Sequence, residues 1–339
     1  MKQKQNKKRF LSILGVVSLV ILLIVLACDS RLKTVHYTVE SNKVNVPIRI
    51  ALITDLHSCS YGKNQKNLIE AVQKQNPDIV LLGGDIFDDK LSYDNAELAV
   101  RQLAELYPCY YVTGNHEYWS RDIGTILEIV KDCGVTALSG ECDIININGQ
   151  MINICGVDDP DVEKYLAEGM SIEEQLKNVS EAAQEATRGV IQGEAQEVVQ
   201  EVLQEEAVTR EAAKEIVQEE AATRETVQEA AQEEIWKIAE TTSTEIFTIL
   251  LSHRPELFEI YQKYEFDLVL SGHAHGGQWR IPGLLNGLFA PNQGLFPEYA
   301  GGRYDYDGGT MIVSRGLARE STKVPRIFNR PELVVVDVK

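Results

Sequence analysis

Apolar residues along this 339-residue chain fall into short runs of two kinds. Nearly unbroken runs occur at 48–54 (IRIALIT), 79–82 (IVLL), 110–112 (YYV), 152–156 (INICG), 246–251 (IFTILL), 266–270 (FDLVL), 310–314 (TMIVS) and 333–338 (LVVVDV). Runs of this length read as strands covered on both faces. Residues 34–40 alternate instead, as a half-buried strand does. Between the runs lie stretches with helical spacing: 67–75, with Leu68, Ile69 and Val72 inward, then 95–106 and 123–133. Pro77-Asp78 stops the first of these. Strands alternating with helices predict an α/β core with a site outside the carboxyl ends of the strands.

Polar clusters stand at those ends. They are Asp55-Leu56-His57, Gly83-Gly84-Asp85, Gly114-Asn115-His116-Glu117, Val157-Asp158-Asp159-Pro160, His253 and Gly272-His273-Ala274-His275. Asp55/His57 and His273/His275 are i, i+2 pairs. A strand that ends there aims both side chains of a pair the same way, by its period of two, as metal ligands require. The glycines let the backbone turn and approach a ligand closely. Five of the six histidines lie at strand ends, and the sixth, His36, reads as a half-exposed strand residue.

Two segments depart from this texture. Lys2, Lys4, Lys7, Lys8 and Arg9 precede an uncharged apolar run from Phe10 to Ala27, 18 residues that nearly span a hydrocarbon core as a helix. The charge bias places the N-terminus in the cytoplasm and the body outside. A retained single-pass anchor over 1–30, lipid attachment at Cys28 and a cleaved signal peptide are the three outcomes this pattern allows. The second segment, 161–242, is rich in Glu, Ala, Gln and Val, and QEEAVTRE at 204–211 recurs as QEEAATRE at 218–225, two heptads later. Val199, Leu203 and Ala207, with their counterparts up to Ile235, form a thin stripe on a long, coiled-coil-like helix. The segment reads as a helical insertion, either a solvated one or one that binds a protein partner. It divides a catalytic body, 31–160 and 243–339.

Charge and cysteines add less. The net charge is −18, which argues against nucleic acid as a partner. Residues 171–245 hold 19 Glu and 6 Lys or Arg, so that segment carries −13 and the remainder only −5. Six cysteines are too few for a disulfide scaffold. Cys109 and Cys155 read as reduced core residues, and Cys133 with Cys142 as a pair that can bridge outside the cell.

TDLH, GGD, GNHE, SHRPE and GHAH, in this order, resemble the calcineurin-like metallophosphoesterase superfamily. GHAHGGQWRIPG, SRGL at 314–317 and RPELVVVDV are similar to its membrane-anchored bacterial phosphodiesterase branch. The resemblance implies two mixed β-sheets packed face to face with flanking helices. It also implies two divalent ions, one held by Asp55, His57, Asp85 and His275, the other by Asp85, Asn115, His253 and His273. His116 then acts on the phosphoryl or leaving oxygen, and Glu117 is a partner for that imidazole or a surface carboxylate.

Carboxylate, amide and imidazole donors without thiolate suit Mn, Fe or Zn. The implied reaction is in-line attack on a phosphodiester by a metal-bridging hydroxide. The anchor makes a membrane lipid or its headgroup a fitting substrate. The alternatives are a phosphomonoesterase, or a metal-binding scaffold whose insert binds a partner. Arg254 and Arg315 are candidates to meet a phosphate, with a surface salt bridge as the plain reading, and Gln278 and Arg280 are candidates to line the substrate groove. Asp88 and Asp89 are candidate supports for the ligands or a helix N-cap.

Overall fold

The computed structural model describes residues 2–190, 192, 245–319 and 324–339. Two compact units emerge, one of Met1–Ser180 with Phe247–Lys339 and one of Glu181–Ile246.

The first unit contains both large sheets. One carries β1 (Lys33–Val39), β2 (Ile48–Ile53), β3 (Ile79–Gly83), β4 (Cys109–Val112), β5 (Thr136–Ala137) and β14 (Glu332–Val338), ordered β1-β14-β2-β3-β4-β5. The other carries β6 (Glu141–Ile147), β7 (Gln150–Gly156), β8 (Phe247–Leu251), β9 (Leu268–Ser271), β12 (Gly302–Tyr306) and β13 (Gly309–Val313), ordered β12-β13-β9-β8-β7-β6. Strands β2, β3, β4 and β5 pair in parallel, as do β7, β8, β9 and β13. A small hairpin joins β10 (Phe289–Ala290) to β11 (Gly294–Leu295).

The unbroken apolar runs have a direct cause. On β2, Ala51 and Ile53 join a cluster with Leu68 and Val72 of α2 (Lys66–Gln73), Val100 of α3 (Asp94–Ala104) and Ile126 of α5 (Ile123–Asp132). Ile50 and Leu52, on the other face, pack against Ile154, Ile249 and Leu270 of the second sheet. Strand β14 divides the same way, Leu333 and Val335 toward the helices, Val334, Val336 and Val338 toward the other sheet. Burying each such side chain stabilises by roughly 1.5–3 kcal/mol, so period-two alternation between two apolar environments selects this register.

Every buried run anticipated from the apolar pattern is a strand. Strands β6 and β12 escaped it because their partly exposed faces hold Glu141, Asp143, Arg303 and Asp305. The cysteine expectation is corrected here: Cys142 bridges to Cys155, and Cys133 is free. Cys142 and Cys155 lie directly opposite each other in the β6–β7 ladder, a relation that only strand register reveals.

The first unit also runs past residue 161, where the Glu-rich composition begins. Ile172, Leu176 and Val179 are buried, and the Asp158 N–H donates to Gln175 Oε1 at 2.9 Å. In the second unit, residues 181–190 are helical. The repeats at 204–225 and the stripe from Val199 to Ile235 lie outside the described residues. At the other end, α1 (Lys2–Ala27) includes one span long and apolar enough to cross a membrane, Phe10–Ala27, with mean hydropathy 3.1 and no part buried in the protein.

Candidate metal centre

The loops leaving β2, β3, β8 and β9 bring six of the predicted ligands together. Asp55, His57, Asp85 and His275 form one buried group and Asp85, His253 and His273 a second, each with ligand atoms within 4.8 Å of one another. Asp85 belongs to both. Its Oδ1 accepts the His116 N–H at 2.8 Å. Its Oδ2 has no hydrogen-bond partner and lies 3.1 Å from His253 Nε2 and 3.6 Å from His57 Nε2, one imidazole from each group. Asn115, 2% exposed, opens the same short helix as His116 and has a buried, unpartnered Oδ1.

The paired residues reach their places by a different route from strand alternation. Strand β2 ends at Ile53 and β9 at Ser271, so neither pair is on a strand. Asp55, His57, Asp85, His273 and His275 all have positive φ, between 47° and 64°. A left-handed backbone costs non-glycine residues on the order of 1–3 kcal/mol each and persists where the surroundings over-determine it. As a result His273 and His275 belong to different groups. Two glycines are required for the same convergence. A Cβ on Gly84 would sit 2.6 Å from His253 Nδ1, and one on Gly114 would strike Asp85.

The donors have the character of an inward-facing cation site. Asp55 Oδ2, both nitrogens of His57, Asp85 Oδ2, Asn115 Oδ1 and His253 Nε2 are buried without hydrogen-bond partners. A buried polar atom left so costs about 1–3 kcal/mol, and these six all belong to predicted ligands. Burial holds His273 and His275 well below the usual imidazole range, which keeps them neutral and able to ligate. Burial opposes the charge on His253 too, but the Asp85 and Asp55 carboxylates raise it to about 10. The cluster thus demands positive charge, and divalent ions would meet that demand. The residues fit two of them.

Around this set lies a ring of supporting groups. His116 Nδ1 is 2.7 Å from Asp89 Oδ1, which leaves Nε2 for other contacts. Asp88 Oδ2 lies 3.3 Å from His57 Nδ1, while its Oδ1 accepts the Lys90 and Leu91 N–H groups at 2.9 Å. Glu117 corrects both expectations for it. It is fully buried and does not touch the His116 ring. Its carboxylate accepts the N–H groups of Asp85 (3.0 Å), Ile86 (2.8 Å), Phe87 (3.0 Å) and Gly114 (2.8 Å). At the third position of α4 (Asn115–Trp119), it reaches back to the cap residue and across to the β3 loop. Burial and the Asp85 carboxylate push it up to about 7.

The arginine candidates are tied down. Arg254 is buried and gripped at two points by Asp159, through Nε on Oδ2 and Nη2 on Oδ1, with Nη1 3.1 Å from His273 Nε2. Arg315 pairs with the buried Glu332, Nη1 to Oε2 at 2.9 Å. Arg280 donates to Asn286. Gln278 is half-buried with an unpartnered Oε1. Asn292 escaped the sequence altogether: its Oδ1 lies 3.1 Å from His273 Nε2, reached across a turn with no motif of its own.

Two mixed sheets packed face to face, with two Asp/His groups sharing one carboxylate at their strand ends, define an α/β protein whose clustered donors fit two divalent ions. Residues 48–277 match the family model described as calcineurin-like phosphoesterase, and the chain belongs to that family. An uncharacterized metallophosphoesterase of Aquifex aeolicus is 26% identical over 318 residues, covering 91% of this chain and 92% of that one. An uncharacterized metallophosphoesterase of Helicobacter pylori is 26% identical over 292 residues, 85% of this chain and 59% of its own length. A Danio rerio protein named as a transmembrane protein with metallophosphoesterase domain is 27% identical over 139 residues, 38% of this chain and 31% of its own length. Membership makes the chain a metal-dependent phosphoric ester hydrolase.

Proposed function

We propose that this protein is a membrane-anchored phosphodiesterase with its catalytic body outside the cytoplasm. The observation that carries the hydrolytic reading is the gathering of orphaned, buried donor atoms around Asp85 Oδ2. In this reading Asp55, His57, Asp85 and His275 hold one divalent ion and Asp85, Asn115, His253 and His273 the other. Bound there, the ions supply Lewis acidity and an activated water. His116 presents Nε2 to the substrate and passes a proton to the leaving oxygen, while Asp89 fixes its ring. Glu117 holds the backbone that carries Asp85 and Asn115. Gln278 is the polar group proposed to touch the substrate, and Arg254 steadies His273 from behind.

A diester is favoured over a monoester on charge. Asp88 and Asp89 stand beside the cluster, and Arg254 and Arg315 are each committed to a carboxylate. A singly charged diester meets less repulsion there than a doubly charged monoester. The outward topology is supported by the basic residues before α1 and by the Cys142–Cys155 bridge, since disulfides persist in oxidising compartments. The anchor favours a substrate at the bilayer, such as a phospholipid or its headgroup.

The test uses the full chain in detergent micelles, loaded with manganese, on bis(p-nitrophenyl) phosphate and on p-nitrophenyl phosphate. The diester is expected to be the better substrate. Asp85→Asn is expected to lose turnover together with bound metal. His116→Ala should keep its metal and slow by roughly 10²–10⁴. Faster monoester hydrolysis would overturn the diester preference, and loss of an ion from His116→Ala would make that residue a ligand.

A further inference from the structure

We propose that the segment 279–296, beside the metal centre, is a second membrane contact that seats the mouth of the site on the lipid surface. Six large apolar side chains stand exposed there: Trp279 (44%), Ile281 (51%), Leu284 (82%), Phe289 (50%), Leu295 (66%) and Phe296 (67%). Phe289 and Leu295 are cross-strand partners in the β10–β11 hairpin, so they share one face. Soluble surfaces rarely gather large apolar residues so densely without a partner.

The lipid surface is the occupant because of where the segment is attached. The Phe328 N–H donates to Ala27 O, the last residue of α1, at 2.7 Å. The preceding residue, Ile327, is in register with Trp279, donates to Gln278 O at 3.1 Å and accepts the Arg280 N–H at 2.9 Å. Arg330 continues the link through Arg31 O and Leu32 O. The strip 326–330 is therefore joined both to the exit of the spanning helix and to the loop bearing Trp279. Neighbouring backbones so paired lie about 5 Å apart, so Trp279 is held close to the level where α1 leaves the bilayer. Trp at that level is favoured by its apolar body and polar edge.

Charge agrees. The whole chain carries −18, yet residues 279–297 contain no Asp or Glu and a single charge, Arg280, which is no obstacle to an anionic headgroup layer. The same strip meets the metal centre. The Asn329 side-chain amide donates to His275 O at 2.7 Å and Gln278 O at 3.1 Å, and Asn292, in the hairpin turn, lies against His273. A phosphoester displayed on the bilayer surface would reach the cluster without leaving it. The proposal rests on α1 being a membrane anchor and is independent of the diester preference.

The test uses the full chain reconstituted into phosphatidylcholine–phosphatidylglycerol vesicles with and without brominated acyl chains, read by tryptophan fluorescence. The three tryptophans are Trp119, Trp236 and Trp279, so Trp279→Phe isolates the contribution of interest. Brominated lipid is expected to quench the parent more than Trp279→Phe. Equal quenching of the two places Trp279 in water and overturns the proposal.

Leu284→Asp with Phe296→Asp is the second arm. This double variant should lose about tenfold in turnover of a vesicle-borne phosphodiester, from withdrawal of two apolar anchors. It should leave a soluble diester unchanged within about twofold, since neither residue touches the metal centre. Equal loss on both substrates overturns the proposal. A detergent-solubilised parent that is dimeric, and becomes monomeric in the double variant, assigns the face to a second copy and does the same. A parent inactive on every phosphoester would sink the hydrolytic reading alone, because the quenching arm does not use turnover.

Discussion

Asp85 and Glu117 divide one task between them. Asp85 faces inward with an unpartnered oxygen between His253 and His57, and Glu117 grips the amide of that same residue from behind. Glu117→Gln should expose the grip. An amide nitrogen in place of one carboxylate oxygen would confront two backbone donors, and the unmet pairs should cost about 1–3 kcal/mol. The check is a thermal melt alongside metal analysis, with a lower Tm and weakened metal retention expected. The pH dependence has a definite sign. The carboxyl of Glu117 rises from its ordinary 4.5 to about 7 on folding, so the folded state holds that proton more tightly than the unfolded chain. In chelator-treated protein its contribution should weaken as pH climbs from about 4.5 to about 7 and stay level beyond that. A melt series showing the same slope in Glu117→Gln would assign the dependence to other groups.

At the scale of elements, the loops matter more than the strands they leave. Parallel pairing of β2, β3 and β4, and of β7, β8 and β9, sends each set of carboxyl ends one way, and the packed sheets bring the two sets together. Positive φ at five predicted ligands then aims the side chains. The β6–β7 hairpin belongs to the same layer and is pinned by Cys142–Cys155, a bridge closing 13 residues. Replacing both cysteines by alanine should lower stability by about 2–3 kcal/mol through loop entropy returned to the unfolded chain. Denaturant titration is the measurement, and an unchanged midpoint would show that the hairpin needs no bridge. The metal centre, built from other loops, should keep its ions either way.

For the whole molecule, the question is which part of the Glu-rich segment the hydrolase needs. Residues 172–179 supply Ile172, Leu176 and Val179 to the first unit's interior and Gln175 to Asp158, so they belong with the body. We propose that the insertion proper is 181–246, free of every proposed ligand, and that a short Gly/Ser linker can replace it. Loop closure depends only weakly on length, so the body should fold and cleave a small soluble diester within a few-fold of the parent rate. A variant that melts early, or that folds and binds metal without turnover, would return the insertion to the catalytic machinery.

Much of this was legible in the chain itself. Unbroken apolar runs announced strands covered on two faces, because each face meets its own apolar layer. Asp, Asn and His at the ends of those runs announced a divalent-metal site, because their chemistry and loop positions leave few other uses. The helix Phe10–Ala27 follows from length and hydropathy alone. Tertiary structure decided what depends on contacts distant in sequence. It supplied the means by which His273 and His275 part, since left-handed turns and not strand period aim them. It turned Glu117 into a buried clamp, since its partners at 85–87 lie about thirty residues away. It paired Cys142 with Cys155 and Arg254 with Asp159, since register and burial cannot be read from spacing. Above all it set the apolar stretch 279–296 beside both the metal centre and the end of α1, a conjunction that exists only once β1 and β14 pair and carry the chain's two ends together.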